Sequence, residues 1–150
     1  MKVCIVVAAV LALTGAACGT SDGADNPEDS TGVTWEEPER YEFTLDSSCG
    51  ERWLLGRFRV MVKDGEVAEV EGLEEQARDV VGEQRGRESV PTLGQLLDEA
   101  AVARQEGADV VEVEMTDDGQ PRYIAIDWDE DAIDDEACYV ISDYSSEAAL

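Results

Sequence analysis

The chain has 150 residues, room for one domain of ordinary size, and its 36 acidic against 11 basic side chains give a net charge of −25. Such a surface repels phosphate backbones and anionic lipid faces, so no nucleic acid is expected as a partner, and solubility is the plain consequence of the charge. No histidine occurs, which removes Ser-His-Asp triads, Cys-His dyads and zinc sites built on imidazole.

Residues 1–17 read MKVCIVVAAVLALTGAA, one lysine followed by the apolar run Val3–Leu13 and then small residues. Those eleven residues fall short of the roughly 20 that a helix needs to cross a bilayer, and they suit the core of a secretory signal peptide. Gly15-Ala16-Ala17-Cys18 then resembles a bacterial lipobox, with Gly15 where an aliphatic residue is usual. The resemblance implies that Cys18 is lipidated and becomes the mature N-terminus; the alternative is an ordinary signal peptide with a free Cys18. Lipid on Cys18 would hold the protein on the outer face of a bacterial cell membrane, two or more chains being needed for stable anchoring. Residues 18–38 are rich in Gly, Ser, Thr, Asp and Pro, and are expected to form a disordered acidic tether, since they have too little apolar surface to offset the entropy of ordering.

With Cys4 removed in the signal and Cys18 lipidated, Cys49 and Cys138 remain, and an oxidising compartment makes them a disulfide. Two free thiols or a two-cysteine metal site are the alternatives, and the latter lacks further ligands.

A single α+β domain is expected over residues 39–145, with 146–150 as a C-terminal tail. Tyr41, Phe43 and Leu45 alternate with polar residues, the period of a strand buried on one face. Phe58, Val60 and Val62 repeat that pattern, and Asp64-Gly65 predicts a two-residue hairpin returning as a weaker third strand over Glu66–Glu71. Leu73–Val90 shows no clean period and reads as a loop. Thr92 and Gln95 form a capping-box pattern, with Leu93, Leu96, Leu97, Ala100 and Ala101 on one helical face and Gly107 at the C-cap position. Three strands follow, over Asp109–Thr116, Arg122–Trp128 and Ala137–Tyr144, with a turn at Asp117-Asp118-Gly119. The order is βββ-α-βββ, a six-stranded antiparallel sheet with one helix crossing one face. A Cys49–Cys138 bond makes the first and last strands neighbours at the sheet centre, which gives the strand order 3-2-1-6-5-4.

Tyr41-Glu42-Phe43 leading to Cys49, then Val62-Lys63-Asp64-Gly65-Glu66-Val67 and Pro91-Thr92-Leu93, resemble an uncharacterised bacterial lipoprotein family, domain of unknown function 6174. The more specific match is Asp118-Gly119-Gln120-Pro121 running into Ile124-Ala125-Ile126-Asp127, followed by Asp134-Asp135-Glu136. Met115-Thr116-Asp117 stands where the family usually has an aromatic-Asp pair. The resemblance spans about 41–144 and implies a small secreted or lipid-anchored domain; it carries no activity.

The chemistry-bearing stretch is IDWDEDAIDDEAC, Ile126–Cys138, with seven carboxylates in thirteen residues. Asp127, Asp129, Asp131, Asp134, Asp135 and Glu136 are its calcium candidates, because calcium takes six to eight oxygens. An EF-hand is excluded, since Ala132 stands where the turn requires Gly and Cys138 where Glu must chelate. A looser calcium site and a solvated turn remain, as does a pair of carboxylates acting as a hydrolase. No GxxxxGK[ST] or GxGxxG loop occurs, and Lys63 is the one lysine of the domain. Trp35, Trp53 and Trp128 would suit a sugar platform, although core or edge packing is the commoner use of tryptophan. Trp53-Leu54-Leu55 reads as a buried loop, with a partner-binding tip as the alternative. The resulting expectation is a non-catalytic binding or interaction module without a cofactor, whose protein or small-molecule ligand is unspecified.

Overall fold

The computed structural model describes residues 35–146. The expected signal segment, Cys18 and the tether up to residue 34 lie outside the described residues, as do 147–150. Six strands form one antiparallel sheet: β1 Arg40–Ser48, β2 Gly56–Lys63, β3 Glu66–Gly72, β4 Val110–Met115, β5 Pro121–Asp127 and β6 Ala137–Ser146. Their order is β3-β2-β1-β6-β5-β4, as the disulfide argument requires. Ser48 sits opposite Cys138 in the β1–β6 ladder, and Cys49 and Cys138 are bonded with their Cα atoms 5.4 Å apart. Asp64 and Gly65 both take positive φ, 55° and 77°, the geometry of the tight hairpin.

Alternation decides which side chains meet the helices. Phe43, Leu45, Phe58, Val60, Val62, Ile124 and Ile126 are buried on one face of the sheet. The other face carries cross-strand ion pairs instead, Arg57 with Asp46 at 3.7 Å and Arg59 with Glu71 at 2.9 Å.

Two helices stand where a loop was expected over Leu73–Val90: α1 Glu75–Gly82 and α2 Gln84–Glu88, followed by the expected helix, α3 Leu93–Glu106. The single-helix expectation is therefore corrected. Helix α1 packs on β3 and β2, while α3 lies over β5 and β4, so the face is shared rather than crossed by one helix. Helix α1 turns a short apolar stripe, Ala77, Val80 and Val81, toward the core, and both short helices also approach their neighbours closely by backbone. Only Ala77 of α1 is fully buried, and it sits against Gly72, where a Cβ would run into the Ala77 backbone. Gly86 of α2 likewise has no room for a Cβ, which would collide with the Val80 carbonyl of α1.

Helix α3 begins with the full capping box. The Gln95 N–H donates to Thr92 Oγ1 at 3.2 Å and the Thr92 N–H donates to Gln95 Oε1 at 2.9 Å. It ends at Gly107, φ 84°, where the Ala108 N–H reaches back to the Ala103 carbonyl at 3.0 Å. Residues 35–38, assigned above to the tether, make contacts with this body. Trp35 packs edge-on against Tyr41 with ring centroids 6.0 Å apart, and the Tyr41 hydroxyl donates to Glu37 while accepting the Leu93 N–H at 3.0 Å. A buried phenol needs such partners, and burial followed by the Glu37 hydrogen bond pushes its pKa well up.

Replacing Cys49 and Cys138 together by Ser opens a loop with a sequence separation of 89 residues. The expected loss is about 4–5 kcal/mol in the chain-entropy account, measured as the difference in denaturant midpoint times slope. Equal midpoints for the two proteins would show the cross-link to be idle.

Candidate functional site

The β1–β2 connection, Cys49–Leu55, is tied down along its length. Cys49 is held by the disulfide and takes a left-handed φ of 68°. The Arg52 guanidinium pairs with Glu99 of α3 at 3.0 Å and lies 5.7 Å from the centroid of the Tyr139 ring. The Tyr139 hydroxyl donates to the other Glu99 oxygen at 3.2 Å, and burial, then the Glu99 charge, drives its pKa well up. Leu54 is buried, and its carbonyl accepts the Ser47 hydroxyl at 2.6 Å.

Between these two anchored residues stands Trp53, 55% exposed. The expectation of a buried Trp53-Leu54-Leu55 loop thus holds for Leu54 and fails for Trp53, because Leu54 takes the inward position and its neighbour is turned out. A cavity of about 570 Å³ opens beside the indole, lined also by Asp79, Val80, Glu83, Arg85 and Ser89 from the α1–α2 segment. Among the described residues, the side chains of Asp79, Glu83 and Arg85 make no hydrogen bond or ion pair. Trp35 and Trp128, by contrast, are partly buried against the core, so the three tryptophans form no common platform. A second cavity, about 540 Å³, lies between Arg40, Met61, Lys63 and Ser146, the last described residue.

The acidic connection between β5 and β6 is dispersed rather than gathered. Asp127 ends β5, and its Oδ1, like Asp135 Oδ1, is shut off from solvent without a hydrogen-bond partner. Asp129 Oδ1 accepts the Asp131 N–H at 3.0 Å, closing a local turn. Asp109 Oδ2 accepts the Glu130 N–H at 3.0 Å, and the Asp134 carbonyl accepts the Glu51 N–H at 3.3 Å. Asp131 and Asp134 stand exposed, Glu136 is half-buried, and Ile133 at the tip is 85% exposed. Among the described residues, no three Asp, Glu or Cys side chains come together as a group able to hold a metal ion.

The family of unknown function DUF6174 matches residues 32–146. The chain belongs to this family. The match takes in the whole sheet, all three helices and both cysteines of the disulfide. No curated protein and no solved structure matches the chain. The Trp53 cleft escapes a reading of the sequence because its walls come from segments about thirty residues apart, one of which shows no helical period. Gly72 and Gly86 are the residues that signal it, each marking a close backbone approach.

Removal from solvent, then the charge of Asp135, raises the pKa of Asp127. A raised folded-state pKa favours the neutral acid in the fold. The corresponding stability is present at low pH and lost as pH rises through that folded value. Asp127→Asn is therefore expected to raise the melting midpoint at pH 7, with the gain shrinking toward the ordinary carboxylate range near pH ~4. Melts from pH 3.5 to 7 check this, and a gain independent of pH would contradict it.

Proposed function

We propose that this protein is a lipid-anchored, extracytoplasmic binding module without catalytic activity, and that the Trp53 cleft is its ligand seat. The observation that carries the reading is the exposure of a large aromatic side chain between two firmly anchored neighbours, at the mouth of a cavity of about 570 Å³. That volume lies within the range of roughly 300–1,000 Å³ typical of small-molecule sites. An exposed tryptophan whose neighbours are anchored has less backbone freedom to lose when a ligand covers it.

Export and anchoring are supported by the lipobox-like Gly15-Ala16-Ala17-Cys18 and by a disulfide, a bond that persists in oxidising compartments. The acidic loop is the weaker candidate for a ligand. Calcium takes six to eight oxygens, and the described residues bring no group of three ligands together. Hydrolysis through paired carboxylates has equally little support. Asp79 and Glu83 in the cleft are both exposed, so the cleft excludes water from neither carboxylate.

Two experiments test the reading. Titrating the isotope-labelled protein with a library of small fragments is expected to move the Trp53 indole N–H and the amides of residues 79–89 more than any others. Hits confined to other surfaces, or none at all, would remove the cleft from consideration. For the anchor, cells grown with labelled palmitate are expected to label the wild-type protein and not Cys18→Ala; an unlabelled wild type refutes lipidation.

A further inference from the structure

We infer that the Trp53 cleft binds the ring of a neutral carbohydrate, stacked on the indole and hydrogen-bonded through its hydroxyls to Asp79, Glu83 and Arg85; this rests on the cleft being the ligand seat.

The lining selects among ligand classes. Trp53 and Val80 are its only large apolar residues, so a wholly apolar ligand would bury itself against Asp79, Glu83 and Arg85 without satisfying them. An anion meets two carboxylates at the site and a net charge of −25 over the whole chain. A cation is drawn by the two carboxylates and the net charge, but it is repelled by Arg85 and leaves the Arg85 donors unused. A neutral polyol has no such conflict. Each hydroxyl both donates and accepts, so one ring can donate to Asp79 and Glu83 while accepting from Arg85.

These three side chains are unengaged among the described residues, which leaves their hydrogen-bonding capacity to a ligand. They sit within a chain of 36 carboxylates and 11 basic groups, yet this cleft holds two of the first and one of the second. The site is thus close to charge balance in a strongly acidic protein. The indole adds the remaining element. Its π face is negative and the C–H bonds on one face of a pyranose are slightly positive, so the two surfaces attract when stacked. The Arg52–Glu99 pair and the buried Leu54 anchor the residues on either side of Trp53, which fixes where the indole leaves the backbone before a ligand arrives.

The test uses the full-length chain in a detergent without a sugar headgroup. Maltotetraose, cellotetraose and fully N-acetylated chitotetraose are titrated beside choline and lysine amide, with the Trp53 indole N–H and the backbone amides of residues 79–89 followed by NMR, the amides serving as the readout in Trp53→Ala. At least one tetrasaccharide is expected to give a saturable shift, with choline and lysine amide giving none. Trp53→Ala is expected to weaken that binding at least about tenfold, the loss typical of removing an aromatic anchor. Asp79→Asn combined with Glu83→Gln replaces two charged acceptors by neutral ones, so it is expected to weaken glycan binding several-fold, and undiminished binding overturns the assignment of these hydrogen bonds. If the sugars are silent while choline, lysine amide or other fragments bind at Trp53, the carbohydrate inference falls and the ligand seat stands. If every probe is silent, both fall. Glycan binding undiminished by Trp53→Ala overturns the inference as well.

Discussion

The pairing of β1 with β6 is the constraint on which the rest of this domain depends. The sheet is two three-stranded antiparallel meanders, β1-β2-β3 and β4-β5-β6, and each alone would leave its inner edge strand, β1 or β6, unpaired. The central ladder joins them over most of the length of β1, and the Cys49–Cys138 bond locks its register at one end. Slippage by one residue would turn Leu45 and Ile141 from the core to solvent, since side chains alternate with a period of two. The helices complete the arrangement by covering one half each, and the core then runs unbroken beneath them from Val62 to Ile126.

A chain with so great an excess of carboxylates folds because its charges stay out of this core. Among the described residues, the fully buried polar side chains are Thr44, Ser47 and Thr92, all uncharged, and Asp127 and Asp135 each hide one oxygen at the β5–β6 connection. Several of the basic residues are spent on the solvent-facing side, where Arg59 bridges Glu42 and Glu71 on the two neighbouring strands and Arg122 meets Glu114 at 2.7 Å. Exposed pairs of this kind contribute little individually and weaken with salt. Their larger effect is on register, because like charges directly opposite would disfavour the ladder.

Much of the fold is legible because its determinants are local. Asp64-Gly65 fixes a hairpin through two positive φ values, Thr92 and Gln95 open a helix and Gly107 closes it, and strict alternation marks β1 and β2. The two cysteines then carry one long-range fact, enough to order six strands. What stays hidden is made by closeness rather than by pattern. Helices α1 and α2 dock through Ala77 against Gly72 and Gly86 against Val80, where absent side chains do the positioning and the apolar stripe of α1 is only three residues, Ala77, Val80 and Val81. The candidate site follows the same division. The aspartates of the acidic stretch are conspicuous in the sequence and spread out in space, whereas Asp79, Glu83 and Arg85 are inconspicuous until folding sets them beside Trp53.

The docking of Trp35 and Glu37 has a consequence for reach. Glu37 occupies the space over Gly94 so closely that its Oε2 would lie 2.5 Å from a Cβ placed there, and Trp35 rests on Tyr41. The described chain is therefore clamped before β1 begins. From that clamp, the nine residues of β1 run roughly 25–30 Å to the loop that carries Trp53. The strand acts as a fixed-length boom, so the distance between the Trp35 clamp and the loop that holds the indole is set by the central ladder and its cross-link.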